Sequence, residues 1–544
     1  MVDELPTGYY LDNFSYVLDY VSSQYVDLLT PEELAYRETF HGLNLDARRL
    51  YVRMCSRRGP LFRDDKLVYN EIDTPAAVAT LLDAGYADEA GDVDATALLA
   101  LPTRPELAGL AGSAATRSMN RAQLVDCLSE RPVEQLRENL PFRVLRPLHL
   151  EMLQTYRLLF FGNLHQDFTE FVLHDLGISP FEPYEIHPED RLFDQREILD
   201  LTLALHGVAE SAAEAIDAND LDAMLAAAAL VIDYPDPGLQ RRAGKIRNRI
   251  ARQLERLDMA DEALALYART LVAPSRERRA RLLHKQGQTE DAIGWCRDIL
   301  ARPEDEAEYE FAAGFARRIL AKDNPVRDSF PDLRLLKFES REIVVQPSEE
   351  YRVEELARQW FEGQGNSAWY VENSLFSGLF GLAFWDIIFA ARKGVFFNPF
   401  QRGPADLFEP EFRIANQARI HQRLAELAEP ACLRHRVLAT FNAKYGFANW
   451  LVNWHWLSEA LLEQAIERIP ATDVLAVFRR LLRDLKRNRA GFPDLVVFPA
   501  DGGYLLSEIK GPGDTLQDNQ KRWLRYFAET GIPAEVAIVS WSGA

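Results

Sequence analysis

Gly491-Phe492-Pro493-Asp494-Leu495-Val496-Val497-Phe498-Pro499, then Asp501-Gly502-Gly503, then Tyr504-Leu505-Leu506-Ser507-Glu508-Ile509-Lys510 reads as a hairpin with an acid at the start of its first strand. The apolar run after Asp494 has the length and β-branched content of a buried strand. The two glycines supply the positive φ that a tight turn needs. On the returning strand the two-residue period puts Glu508 and Lys510 on one face and turns Ile509 to the other, into the core. A hairpin of this length returns Glu508 beside Asp494.

Two carboxylates held together repel unless a cation sits between them, and an oxygen-only donor set suits Mg²⁺ or Mn²⁺ rather than zinc. The Ile509 carbonyl would face the same ion. An adjacent lysine can lower the pKa of a water at the ion or hold charge that develops on a scissile phosphate. Singly, an Asp at a strand start is a cap residue and a Glu-x-Lys pair is a strand edge. With the turn, the following Gly511-Pro512-Gly513 and a helix starting near Thr515, the set points to phosphodiester hydrolysis.

Upstream, Arg479-Arg480-Leu481-Leu482-Arg483-Asp484-Leu485-Lys486-Arg487-Asn488-Arg489 holds six bases against one acid, and Lys486 and Arg487 are candidates for phosphate contacts. Lys521, Arg522 and Arg525 extend that surface. Mainly helical sequence fills about 400–480. A long apolar helix is expected to carry Glu372 and Trp385-Asp386-Ile387-Ile388-Phe389. Asp386 lies fourteen residues beyond Glu372, roughly 21 Å along a helix axis, so it is taken as structural. The sheet is expected only in this C-terminal part, from about 326 onward.

Residues 186–325 read as helix pairs. Asp261-Glu262-Ala263-Leu264 through Leu271 matches Glu290-Asp291-Ala292-Ile293 through Leu300 at an offset of 29, a degenerate tetratricopeptide-like array. Arg241, Lys245, Arg249, Arg252 and Arg256 share one helix face there, with Arg242 and Arg247 flanking: a basic stripe for phosphates or a solvated surface. Residues 1–185 read as a helical DNA-binding region in which Arg49, Arg53 and Arg57 recur at spacings of four. Met119 to Leu128 is either the first helix of a SAP-type element or a plain structural helix.

The chain has 544 residues, enough for three or four domains, and the division expected is 1–185, 186–325 and 326–544. Its composition, 47% hydrophobic and 27% charged, is that of a folded protein. Four separated cysteines, Cys55, Cys127, Cys296 and Cys432, argue for thiols in a reducing compartment rather than zinc or disulfides. The acidic start, without a basic-then-apolar leader, points to the cytoplasm, and to the nucleoid when acting. No membrane partner is expected, since the most apolar window, Leu375 to Phe389, is too short to span a bilayer. A net charge of −21 requires any DNA-binding bases to be concentrated locally.

Pro493-Asp494, Glu508-Ile509-Lys510, Gly511-Pro512-Gly513-Asp514 and Gln520-Lys521-Arg522-Trp523 together resemble the VRR-NUC branch of the PD-(D/E)xK nucleases, with isoleucine where the family commonly has valine. With Glu372 and Trp385 to Phe389 added, the chain resembles the Fanconi-associated nuclease family, over the repeat region and loosely the N-terminal part as well. The resemblance implies a mostly α, multidomain protein with a C-terminal α/β restriction-endonuclease-like core. It implies that Glu372, Asp494, Glu508 and the Ile509 carbonyl bind divalent metal, two ions of Mg²⁺ or Mn²⁺, while Lys510 serves catalysis. Glu372 is a metal ligand only through the resemblance, because an acid at a helix start is otherwise explained by the helix dipole. Gln520 likewise matches a family position beside the active site. The activities implied are 5′-flap endonuclease and 5′-to-3′ exonuclease on branched DNA, in interstrand crosslink repair. The zinc finger of some eukaryotic members has no counterpart. Two alternatives are Holliday-junction resolution, as for small dimeric VRR-NUC proteins, and a non-catalytic scaffold binding branched DNA or peptides.

Overall fold

Helix starts along the chain are set by residues that cap them. In the computed structural model, which describes residues 7–57, 59–112, 118–166, 180–184, 186–333, 338–348 and 350–542, Thr30 and Glu33 close a reciprocal capping box at the helix Pro31–Gly42. Asn120 and Gln123 do the same for the helix Arg121–Ser129. The chain divides into two units, one of residues 1–178 with 192–203 and one of 179–191 with 204–544.

In the first unit the helices Tyr9–Gln24, Pro31–Gly42 and Leu45–Cys55 bury Phe14, Phe40 and Tyr51. This unit also contains a sheet, contrary to expectation. Strands β1 (Phe62–Arg63), β2 (Ala87–Asp88) and β3 (Val144–Pro147) pair antiparallel in the order β1-β3-β2. Strands of two to four residues carry too little alternation to be legible as sequence.

In the second unit the helices Pro237–Arg256, Ala260–Ala268, Ser275–Lys285, Thr289–Ala301 and Glu306–Ile319 pack each on the next. Ala263, Tyr267, Ala292 and Cys296 are all buried, as the 29-residue correspondence requires. The match ends at Leu271, which is 65% exposed.

The larger sheet comprises β4 (Glu339–Val345), β5 (Ser367–Tyr370), β6 (Leu495–Phe498), β7 (Leu505–Lys510) and β8 (Ala534–Trp541), in the order β4-β8-β7-β6-β5. β6 and β7 form the antiparallel hairpin, with Leu495 opposite Ser507. Gly502 and Gly503 in its turn have φ of 114° and 74°. The helix Asp518–Thr530 carries the chain from β7 to the parallel β8. One sheet face packs Leu495, Val497 and Ile509 with Phe361 of the helix Val353–Gly363. The other packs Val496 and Leu506 with Trp523 and Phe527 of the helix Asp518–Thr530.

The expected single apolar helix is two, Leu375–Ala383 and Trp385–Ile388, and Glu372 stands in the turn before the first rather than on it. Asn373, at φ 56°, keeps the helix from extending back. Asp386 makes a two-point ion pair with Arg423, at 2.9 and 2.7 Å, and is structural as expected. Around this helix the inserted helices Pro430–Lys444, Glu459–Arg468 and Ala471–Arg483 share its core.

Within that core a Cβ on Gly381 would stand 2.7 Å from Val452 Cγ2 and 3.1 Å from Leu451 Cβ. Gly381→Ala is therefore expected to cost about 1–3 kcal/mol by overpacking, lowering the thermal midpoint. Gly363→Ala, where the added methyl meets nothing within 4 Å, should leave the midpoint unchanged or raise it slightly.

Candidate active site

Phe492 is the side chain that fixes the Pro493-Asp494 segment. Its ring stacks on Trp523 at 4.1 Å and on Phe376 at 5.4 Å, and the Trp523 indole N–H donates to the Asn488 carbonyl at 3.1 Å. Asn373 holds the backbone from the other side, its Oδ1 accepting from the N–H groups of Gly491 (2.7 Å) and Phe492 (3.2 Å). Gly491 has φ 92°, and a Cβ there would lie 2.7 Å from the Asn519 carbonyl carbon, so only glycine fits.

Asp494 is 8% exposed and Glu508 1%. The Ile509 N–H donates to Asp494 Oδ2 at 2.8 Å, which docks the first acid against the strand bearing the second. Lys510 Nζ lies 2.8 Å from Glu508 Oε1 as an ion pair, and Glu508 Oε2 has no hydrogen-bond partner. Burial is the first cause that raises both carboxyls above the usual range. For Asp494 the neighbouring charges of Glu372 and Glu354 add to this, and for Glu508 that of Asp494.

Glu372 is exposed and is held by two neighbours. The Tyr370 hydroxyl donates to Oε2, and Asn373 Nδ2 donates to Oε1 at 3.2 Å. Its charge is felt at Asp494 and at Glu508, yet among the described residues no three His, Cys, Asp or Glu side chains stand together as a ready-made metal cage. What does fit a divalent cation is the donor chemistry: a buried carboxylate with an oxygen that lacks a partner, beside a second acid and a strand carbonyl. Glu354, in the first turn of the helix Val353–Gly363, acts electrostatically on Asp494 and is absent from the sequence reading. Its only sequence signal is the position of an acid at a helix start, shared by many helices.

Gln520 occupies the first turn of the helix Asp518–Thr530, where its amide oxygen accepts from the Gln517 N–H at 2.9 Å, leaving the amide nitrogen as a donor.

The predicted basic residues are largely paired. Arg53 bonds Glu71 at 2.9 Å and stacks over Tyr10, Arg49 donates to the Glu71 carbonyl, and Arg57 lies beyond the end of its helix and donates to Tyr69. Arg58 lies outside the described residues. Arg241 pairs with Glu409 and Glu411, and Arg252 with Glu255. Arg247 is wholly buried, bonding Asp233 and backbone carbonyls. Arg487 pairs with Asp305, Lys521 with Asp518, and Arg522 with Glu310. Lys245, Arg249 and Lys486 are exposed without an ion pair among the described residues. For Arg241, Arg487 and Arg522 the balancing acids come from distant segments, which is why those runs look unbalanced in sequence.

Comparison with known proteins places this geometry. The VRR-NUC domain model matches residues 428–541, and the model described as FAN1, HTH domain matches residues 8–88. The Fanconi-associated nuclease 1 homolog of Pseudomonas aeruginosa is 35% identical over 548 residues, covering 98% of this chain and 96% of that protein. The Arabidopsis thaliana homolog is 24% identical, covering 98% of this chain and 67% of its own length. A crystal structure of paFAN1 bound to DNA with a 2-nucleotide 5′ flap and a gap matches 99% of this chain and 100% of its own, with a TM-score of 0.83 and 34% identity. The chain belongs to the Fanconi-associated nuclease 1 family and carries that family's VRR-NUC nuclease domain.

Proposed function

We propose that the chain is a structure-specific DNA nuclease that cleaves 5′ flaps endonucleolytically and degrades DNA from 5′ to 3′, acting in interstrand crosslink repair. The observation that carries the catalytic part is Glu508, buried beside Asp494 with Lys510 Nζ at 2.8 Å from one carboxylate oxygen and the other oxygen without a hydrogen-bond partner. The choice of substrate is supported by the full-length likeness to paFAN1 bound to 5′-flap DNA.

Asp494, Glu508 and the Ile509 carbonyl, with Glu372, are the groups that would hold Mg²⁺ or Mn²⁺, and Glu354 adds negative charge behind them. When bound, such ions supply Lewis-acid stabilisation of the phosphate undergoing cleavage. Ile509 N–H immobilises Asp494 Oδ2. Lys510, with a side chain 14% exposed, holds a positive charge where a phosphate oxygen gains negative charge. Asn373 ties the loop bearing Glu372 to the segment bearing Asp494, so that the two acids are positioned together. Gln520, at the rim, offers its remaining amide donor. Among the bases predicted from sequence, Lys245, Arg249 and Lys486 are left without a partner among the described residues and would grip duplex phosphates, which position DNA without reading its sequence.

On a labelled 5′-flap duplex with Mn²⁺ or Mg²⁺, Asp494→Ala and Lys510→Ala are each expected to slow cleavage by at least about a hundredfold. EDTA should abolish cleavage by the wild type. Cleavage at wild-type rate in either variant would refute the site.

Raised carboxylate pKa values mean that the folded, metal-free protein binds protons more tightly than the unfolded chain, so it loses stability as pH rises through them. Glu508→Gln should therefore raise the metal-free thermal midpoint by a few degrees at pH 8. Mn²⁺ should raise the midpoint of the wild type and leave that of Glu508→Gln nearly unmoved. Equal midpoints in EDTA at pH 8 would contradict the electrostatic account.

Lys245→Glu combined with Arg249→Glu should weaken duplex binding and reduce the slope of log affinity against log salt by about two. An unchanged slope in a binding titration would return that face to solvent.

A further inference from the structure

Glu372, Asn373 and Ser374 border the carboxylates on one side and, on the other, a cleft of about 670 Å³ whose far wall is the loop around Asn449 and Trp450. Its size suits a small ligand or a nucleotide or two. Two groups in its lining are buried without partners: Ser377 Oγ, in a residue 5% exposed, and Asn449 Nδ2, in a residue 7% exposed. Both atoms are sealed from the cleft, so neither reaches a ligand as the side chains stand.

Trp450, in contrast, is 49% exposed, much for so large an aromatic ring. The Arg402 guanidinium lies 5.3 Å from its ring centroid, and Arg489, which also lines the cleft, lies 4.4 Å over Phe408. Neither arginine makes an ion pair among the described residues, unlike Arg241, Arg480, Arg487 and Arg522 of the same unit. Free cations recognise phosphate, and an exposed flat ring takes a base. A base inside a duplex has both faces covered by its neighbours, so only an unpaired nucleotide can offer a face to Trp450.

We infer that this cleft receives an unpaired nucleotide of the DNA, its base stacked on Trp450 and its phosphate held by Arg402 and Arg489, next to Glu372. The inference rests on the nuclease reading of the adjacent carboxylates and adds the element that detects single-stranded character. Stacking on Trp450 tolerates any base, in keeping with selection by structure rather than sequence.

The test uses the full chain with Ca²⁺ in place of Mg²⁺ or Mn²⁺, and a gapped duplex carrying a short 5′ flap with 2-aminopurine at successive unpaired positions. Wild type is expected to quench the fluorescence at one unpaired position. Trp450→Ala should lose that quench and bind the flapped DNA about tenfold more weakly, with affinity for the same duplex lacking unpaired nucleotides unchanged. Trp450→Phe should retain the quench. Arg402→Ala and Arg489→Ala should weaken binding of the flapped DNA alone. Trp450→Ala that quenches like the wild type, or that loses affinity equally for both DNAs, overturns the inference. Cleavage of the flap by the wild type with Mn²⁺ tells the two readings apart. If cleavage occurs while Trp450→Ala still quenches, the cleft alone is refuted. If no cleavage occurs, the nuclease reading falls and the inference with it.

Discussion

Two carboxylates kept side by side and out of water impose the central constraint on this protein. Asp494 and Glu508 are nearly inaccessible, and the first is pinned by a backbone N–H of the strand that carries the second. Burying two acids with a single lysine between them opposes folding, so the surrounding structure must hold the pair by other means. It does so with the Phe376, Phe492 and Trp523 stack, the Asn373 bridge and a glycine at 491 that no larger residue replaces. Stability is traded for a preorganised anionic site, the arrangement expected of a catalytic centre.

The bases follow a complementary economy. Most arginines that look free in the sequence are spent inside the fold. Arg480 is 7% exposed and packs over Tyr526 and Trp523, and Arg487 and Arg522 tie the final helices to acids of the helical array. A chain of net charge −21 can still meet a polyanion, because a field depends on which charges remain unpaired and where. Among those without an ion pair, Arg402 and Arg489 line the same cleft as Glu372.

The hairpin was legible because its signals are local: a strand period, a pair of turn glycines and three ionisable residues at fixed offsets. The helical array was legible through small residues such as Ala263 and Ala292 at equivalent positions. Other features depend on contacts between distant segments. Glu372 reads as a helix residue until Asn373 takes a left-handed conformation to reach Gly491. The stripe at 241–256 reads as unbalanced until Glu409 and Glu411 arrive from more than 150 residues away. Glu354 has only the mark of an acid at a helix start, shared by many helices, and β4 and the short N-terminal strands owe their existence to partners rather than to pattern.

The position of β8 has a consequence for folding. Among the described strands it comes last in sequence, yet it lies between β4 and β7 and is hydrogen-bonded to both. Until residues 534–541 join the sheet, β4 has no neighbour and β7 lacks one side, so the sheet beneath Glu508 is incomplete. Long-range parallel pairing of this kind forms late in folding. The carboxylate pair therefore rests on a platform whose middle strand is delivered from more than twenty residues beyond the hairpin, and the site is rigid only when that strand is in place.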